Sequence, residues 1–571
     1  MDNKDVAAAL EEVATLMELK GENSFRCRAY TNAARQVEML REPVKELVER
    51  GELDSVRGIG KGLVRDITEL VQTGQMDAYQ KLVDSIPEGL LEMLEIPGLG
   101  AKRVRTIYEN LGISDVDGLA KACEAGAVEK LSGFGKKTAE RILQGIDFLQ
   151  QHRGRFLYST ALAEAEKMRA YLLEQPGVIR LEVAGSIRRC KETTKDVDVV
   201  ASSEDPAGLA EAFVNCDGVK QVTGQGETRV SVVLTSGMQA DLRTVGDENF
   251  PYTLHHFTGS QEHNTLMRQR ARDRGMKLNE YGLFKGEERV PCEDETALFK
   301  ALGLAYIPPE LREGLGEIEE AEQGDFSGLV CMEDLLGTLH VHTTHSDGRA
   351  DVEAMARAAA GLGYHYIGIC DHSQAAAYAN GLTEDRVRAQ WKEIDRVNKA
   401  LKDIRVLKGV EVDILGDGQL DFEDGFLAEF DLVVASVHSR FTMSEAEATE
   451  RIVRAVQNPH VDILGHPTGR LLLSREGYAL DVHAVIDAAA ESGTAMELNA
   501  NPHRLDLDWR YLGYARAQGV KISINTDAHS VAGLAHMGYG VGMARKGGLR
   551  RDDVLNTTAV ADLLAHLRRL D

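Results

Sequence analysis

Apolar side chains recur at three- and four-residue spacing through the first 150 or so residues, which predicts short amphipathic helices broken by Gly-rich turns. From about residue 155 to 320 the pattern mixes helical stretches with β-rich runs such as LEVAG, DVDVVAS, VSVVL and QADLRTV, an α+β signature. A Glu- and Gly-rich stretch, PPELREGLGEIEEAEQGDFSG, follows and predicts a linker, assigned to 316–332. From about 333 onward seven strand-like runs alternate with helices: LGTLHVH, YHYIGIC, DIRVLKGVEV, FDLVVASVH, VDILGH, TAMELNA and VKISINTDAH. That alternation predicts a βα barrel. The expected division is therefore an all-α region at 1–150, an α+β core at 151–315, the linker, and a barrel at 333–571.

One helical pattern occurs three times: VRGIGKGLVRDI (56–67), IPGLGAKRVRTI (96–107) and LSGFGKKTAERI (131–142). Each joins an apolar residue, a Gly-apolar-Gly turn and a helix start, and repetition makes chance a poor explanation. The glycine pairs Gly58 and Gly60, Gly98 and Gly100, and Gly133 and Gly135 permit positive φ and close backbone approach, while the helix start points unpaired N–H groups outward. A lone pair of this kind would more often be a simple helix cap. Lys61, Lys102, Arg103, Lys136 and Lys137 stand beside the turns and add positive charge where a phosphate would lie.

Composition changes the picture in two ways. The 571 residues suggest about three or four domains. A formal net charge of −25 opposes nonspecific nucleic-acid binding, although backbone amides hold phosphates without basic side chains and metal-binding carboxylates add formal negative charge. No apolar run approaches the roughly 20 residues of a membrane span. The opening MDNKDVAAALEEVATLMELK reads as an acidic amphipathic helix without a secretory pattern, so a cytoplasmic location is expected. Seven scattered cysteines, none in a CxxC pair, predict reduced thiols.

In VAGSIRRCKETTKDVDVV (183–200), Asp196 and Asp198 alternate with apolar residues on a predicted strand, where period two puts both carboxylates on one face. Asp241, on the second arm of a predicted hairpin, could join them from a neighbouring strand. Three oxygen ligands suit two Mg²⁺ or Mn²⁺ ions. Gly185 and Ser186 begin a turn that, with Arg189, could hold a triphosphate.

GSxxR, then DxD, then a later Asp, together with HHFTGSQEHNTLMRQRARDRGMKLNEYGL (255–283), resembles the family X DNA polymerases, the group of DNA polymerase beta. The resemblance implies helix-hairpin-helix motifs in 1–150, binding DNA backbone through the six turn glycines and Lys136 with Na⁺ or K⁺ as a further candidate there. It also implies a nucleotidyltransferase core at 151–315 in which Asp196, Asp198 and Asp241 are catalytic. Gly185, Ser186, Arg189, His256, Phe257, Gly259, Asn264 and Arg268 are then expected around the nucleotide and template. His256 replaces an aromatic sugar-contacting residue, which leaves ribonucleotide rejection open. Asp66 stands where the beta enzyme carries a Schiff-base lysine, and Arg26 replaces another lysine, which argues against a deoxyribose-phosphate lyase of that type.

The last third places His340, His342, Asp347, His372, Glu411, His438, His466, Asp527 and His529 at or just after predicted strand ends. Nine imidazole or carboxylate groups exceed one ion, and the mixture suits Zn²⁺, Mn²⁺ or Fe²⁺. These segments resemble the PHP domain, which implies a distorted (β/α)7 barrel with two or three ions and phosphoesterase chemistry. His365 and His345 read as packing or loop residues, and Arg470 as either a phosphate ligand or a surface ion pair.

A polymerase unit followed by a PHP module resembles the bacterial family X polymerases. That implies gap filling in base excision repair on gapped or nicked DNA with dNTPs, and a 3′ to 5′ exonuclease and an abasic-site endonuclease in the PHP domain; the oligomeric state is left open by the sequence, with a monomer expected. Two other classes fit the residues: a DNA-binding scaffold with structural PHP metals, and a small-molecule phosphatase.

Overall fold

The computed structural model describes residues 3–38, 40, 42–226 and 228–567. The chain divides into two units, Met1–Arg153 and Gly154–Asp571. Among the described residues no helix is long and apolar enough to cross a membrane.

Among its described residues the first unit contains only helices and their turns, as the apolar spacing requires. Val6, Leu10 and Val13 of the opening helix share one core with Ile67, Ile107 and Leu119. The repeated pattern forms the starts of α1 (Lys61–Thr73), α2 (Ala101–Leu111) and α3 (Lys136–His152). Before each helix the chain turns through a left-handed glycine, with φ of +90° at Gly58, +79° at Gly98 and +82° at Gly133. Only glycine adopts this conformation without strain.

After a short strand and the helix Tyr158–Leu173, the second unit forms a five-stranded sheet. Its strands are β1 (Val178–Val183), β2 (Asp196–Ser203), β3 (Val219–Gln225), β4 (Arg229–Leu234) and β5 (Gln239–Val245), in spatial order β1-β2-β5-β4-β3. The β4–β5 hairpin is antiparallel, whereas β2 and β5 run parallel. Helices α4 (Phe250–Thr258) and α5 (Gln261–Asp273) follow and lead to a small three-stranded sheet.

The stretch expected as a linker is folded, which corrects the sequence-based expectation. Glu317–Gln323 is helical, and Ile318, Ala321, Phe326 and Leu329 are buried with Leu298 and Phe299. Glu317 is itself buried and accepts hydrogen bonds from the amides of Gly314 (2.9 Å) and Leu315 (2.7 Å) and from His263 Nδ1 (2.7 Å). A Glu- and Gly-rich composition suggests solvation only when the charges lack partners, and here the partners come from elsewhere in the chain.

All seven strand-like runs of the last third form strands of one parallel sheet in chain order: β6 (Gly337–Val341), β7 (Tyr366–Ile369), β8 (Arg405–Asp413), β9 (Leu432–Ser436), β10 (Ile463–Leu464), β11 (Ala495–Asn499) and β12 (Ile522–Asn525). Between the first and last strands the ladder is reduced to a single bridge, Val341 to Ala528, and a bond from the Leu339 amide to Asn525 Oδ1 (2.9 Å). The barrel is therefore nearly closed and distorted. Strand residues are buried on both faces, as expected when helices cover a parallel sheet.

Candidate functional site

Two clusters of metal-type donors lie in the second unit. In the first, Asp196 and Asp198 sit two apart on β2, and the parallel register sets Asp198 beside Asp241 of β5. The three carboxylates thus share one sheet face. Burial, reinforced by Asp196 and Asp241, pushes the Asp198 carboxyl up to about 7; burial and Asp241 also raise Asp196. An all-oxygen set whose members repel one another suits a hard divalent cation. Arg229 Nη2 lies 3.0 Å from Asp241 Oδ2, and Ser231 donates to the same carboxylate.

The Gly185–Arg188 turn abuts this cluster. A Cβ on Gly185, whose φ is +61°, would stand 2.1 Å from Asp198 Oδ2, so glycine is required for the carboxylate to occupy its position. Ser186 Oγ bonds Thr194 Oγ1. The Arg189 guanidinium bonds Glu313 Oε1 (3.2 Å) and the Thr258 carbonyl. Behind it, Lys546, the last residue of α6 (Met537–Lys546) on the barrel, is 3 % exposed and donates to the Arg189 carbonyl (2.8 Å) and to Glu313 (2.5 Å). The turn is therefore braced by the barrel, a feature with no local sequence signal.

Of the other expected nucleotide contacts, His256 and Phe257 are half-buried on α4, and Gly259 caps that helix with φ +69°. Asn264 Nδ2 donates to the His256 carbonyl (2.8 Å), so its side chain shapes the α4–α5 corner. Arg268 is exposed on α5, and the Arg243 guanidinium lies 4.9 Å over the Phe257 ring.

In the first unit, Gly60, Gly100 and Gly135 are the N-caps of α1, α2 and α3, and none is capped by a side chain. All six turn glycines are exposed, with open space where a Cβ would stand, and Lys61, Lys102, Arg103, Lys136 and Lys137 are exposed beside them. Free helix N-termini with cations alongside form anion sites. Asp66 is 3 % exposed and accepts from Tyr30 Oη (2.5 Å) and Arg65 Nη2 (2.9 Å). It is a structural carboxylate.

The second donor cluster lies at the C-terminal ends of the barrel strands. Eight of the nine expected groups fall into three overlapping sets whose ligand atoms lie within 4.8 Å of one another: His342, Asp347, His372 and His529; His340, His342 and Asp527; His372, Glu411 and His438. His466 joins them through Glu411, with Nε2 3.0 Å from Oε1. His372 Nδ1 and Glu411 Oε2 approach to 2.8 Å, yet both are buried without a hydrogen-bond partner, as are His340 Nε2 and His342 Nε2. Buried lone pairs facing one another call for shared cations, so the donors fit a cluster of metal ions.

The charge balance agrees. Against burial, Glu411 and its neighbours raise His372 to about 10 and His438 to about 9, while His342, buried beside His529 and His372, drops to about 3. The upward shifts at His372 and His438 show that the carboxylates demand positive charge, which cations bound among these donors would supply in place of protons. Asp527 and His466 have left-handed backbone, with φ of +49° and +23°, strain of a kind found at functional sites.

An outer ring of side chains escaped the sequence reading. Glu497 accepts from His340 Nδ1 (2.7 Å) and the His466 amide (2.7 Å), and Asp413 accepts from His438 Nδ1 (3.3 Å). Asp371 accepts from the Thr343 amide (2.8 Å) and hydroxyl (2.6 Å), bracing the loop after β6. These bonds fix which ring nitrogen faces inward. A signal existed for one of them, since Asp413 follows Glu411 at period two. His345 bonds Glu393 (2.9 Å) from its loop, whereas His365 is exposed and does not fill the packing role expected of it. Arg470 is neither of the alternatives considered: its guanidinium is largely buried and satisfied by Asp508 and the carbonyls of Arg504 and Leu505. Arg504, instead, reaches within 3.7 Å of Asp527.

Known proteins share these regions. Residues 1–76 match the helix-hairpin-helix domain, 90–147 the SAM-like helix-hairpin-helix tandem, 253–313 the DNA polymerase beta thumb and 338–501 the PHP domain. The chain is 42% identical over 575 residues, covering 100% of both proteins, to the DNA polymerase/3'-5' exonuclease PolX of Bacillus subtilis (strain 168). It is 30% identical, over 38% of this chain and 89% of the other, to a probable phosphatase of Thermoanaerobacter sp. (strain X514). To DNA polymerase lambda of Rattus norvegicus it is 26% identical, over 54% of this chain and 56% of the other.

Proposed function

The chain belongs to the family X DNA polymerases that carry a C-terminal PHP domain, and on that premise we propose that it fills short gaps in DNA at the β2–β5 aspartates and trims 3′ ends at the barrel. What supports this reading is two chemically different groups of donors in one compact unit, the β2–β5 aspartates and the histidines and carboxylates of the barrel.

Mg²⁺ or Mn²⁺ at the aspartates, and two or three Mn²⁺, Zn²⁺ or Fe²⁺ ions at the barrel, would supply Lewis acidity that activates a primer hydroxyl or a water and offsets phosphate charge. Asp196, Asp198 and Asp241 would hold the polymerase ions, and Asp198, its carboxyl pushed up to about 7 by burial and its neighbours, would release its proton on binding one. The Gly185–Ser186 turn receives the triphosphate through its backbone and hydroxyl, with Arg189 and Lys546 holding it from behind. His256 and Phe257 line the sugar side, and Arg268 extends toward the template.

The three hairpins grip the DNA backbone through the amides that follow Gly60, Gly100 and Gly135, with Lys136 and its neighbours adding charge and Na⁺ or K⁺ a candidate at the turns. At the barrel, Arg504 meets the scissile phosphate, and Glu497, Asp413 and Asp371 hold the imidazoles and the loop after β6 in place. Gapped DNA with a 5′-phosphate is the expected substrate, in base excision repair in the cytoplasm, with the protein acting as a monomer and cleavage at abasic sites a further outcome of the barrel chemistry. Likeness of the barrel to a probable phosphatase favours a second reading, removal of a terminal phosphate.

The test is a 5′-labelled duplex with a one-nucleotide gap, incubated with Mn²⁺ with and without dNTPs. Extension with dNTPs and stepwise shortening without them are expected. A 3′-phosphorylated primer that loses only its phosphate would favour the second reading, and binding with no product would overturn both.

A further inference from the structure

The loop between β7 and the helix Glu384–Ala400 is anchored along its length. The Ala375 amide donates to Asp421 (2.7 Å), and Asn380, with φ +56°, donates to the carbonyls of His345 (3.1 Å) and Ser346 (3.2 Å). Arg386 clamps the carbonyls of Asn380 and Gly381, both at 2.9 Å. Ala376 and Ala379 are 1 % and 2 % exposed, and a Cβ on Gly381 would lie 1.9 Å from the Ser373 carbonyl oxygen. In the middle of this tightly held turn Tyr378 is 72 % exposed.

Its ring stands beside the metal-type donors, with centroids 6.2 Å from His372 and 6.3 Å from His438. The planes are inclined by 56° and 65°, so neither contact covers the tyrosine face by stacking. A flexible loop would fold such a ring against apolar surface, whereas this anchored loop holds it out at the mouth of the site. Arg504 adds a cation at the same mouth, close to Asp527. An aromatic face beside a phosphate site matches a ligand that carries a flat π-system next to its phosphate, and bases stack on such faces irrespective of sequence.

We propose that Tyr378 is the platform on which the base at a DNA 3′ end stacks while its phosphodiester enters the barrel site. The proposal rests on reading that site as an exonuclease and adds what the donor cluster lacks, a means of selecting a nucleotide end over a bare phosphate ester. Tyr378 touches the base and positions it, and the chemistry remains with the metal-type donors.

Two measurements test it. A single strand ending in 3′ 2-aminopurine, bound in Ca²⁺ to block turnover, is quenched when its base stacks; wild type and Tyr378→Phe should quench it, and Tyr378→Ala should not. In Mn²⁺, wild type should shorten a base-bearing 3′ end with a KM about tenfold lower than an end carrying a tetrahydrofuran residue, and Tyr378→Ala should lose that preference. Equal KM values for the two ends in wild type, or quenching retained in Tyr378→Ala, overturns the platform. Failure of wild type to shorten any end overturns the exonuclease reading instead.

Discussion

The two donor clusters sit in one compact unit but are held in different ways. The aspartates of β2 and β5 are only partly buried and repel one another, with Arg229 paired to Asp241 and the charges of Arg189 and Arg229 only partly offsetting that repulsion at Asp198. The barrel cluster is largely enclosed, and an outer ring of Glu497, Asp413 and Asp371 fixes its donors. An open set of like charges suits an ion that arrives with a triphosphate and leaves with the product. A closed set of imidazoles and carboxylates oriented from behind suits resident ions. The lesson is that donor type names the metal class, and the support around the donors indicates how long the ion stays.

The largest effect that would break this comparison is leakage between the sites. Asp198→Ala should lower gap filling by about three orders of magnitude or more while shortening of 3′ ends persists, and His342→Ala should do the reverse, measured on one labelled duplex. Loss of both activities in either variant would mean a shared centre.

Metal removal should separate the sites next. Dialysis against EDTA should lower the melting temperature by on the order of 10 °C in wild type and Asp198→Ala alike, because buried charges lose their compensation, with Mn²⁺ restoring it. His342→Ala should show much less of this shift.

A third test concerns what holds the α4–α5 region to the Gly185 turn. Burial disfavours the Glu295 carboxylate, but Arg312 and Arg188 outweigh it and hold its pKa below the ordinary 4.5. Glu295 accepts from both guanidiniums, at 2.6 Å from Arg188. A depressed carboxyl adds stability that is complete above pH 4.5 and lost as pH falls below it. Glu295→Gln should therefore cost about 3 kcal/mol at pH 7 by chemical denaturation, a difference that shrinks toward pH 3.

The smallest effect is the pH dependence of the aspartate site. Below pH 7 a cation must displace a proton from Asp198, so the KM for Mg²⁺ in gap filling should rise about tenfold per pH unit as pH falls from 7, and level off above it. The same raised pKa makes the metal-free fold lose stability as pH climbs from 3.8 toward 7. A flat Mg²⁺ profile would place Asp198 outside the metal site.

What could be read from the chain alone was whatever backbone geometry repeats locally. Period two placed Asp196 and Asp198 on one face, the glycine pairs marked three helix starts, and seven apolar runs, six of them with His, Asp or Glu at or near their ends, marked the rim of a barrel. Tertiary structure decided which distant partners each group meets. It paired β2 with β5 in parallel so that Asp198 faces Asp241, set Glu497 behind His340 from 157 residues away, and buried Glu317 in a stretch whose composition suggested a linker. It also tied up Arg470, brought Arg504 to Asp527, and placed Lys546 of the barrel behind Arg189. Local pattern follows from the torsions of a few residues, but the partner of a buried charge depends on which elements pack side by side, and no short window of sequence contains that information.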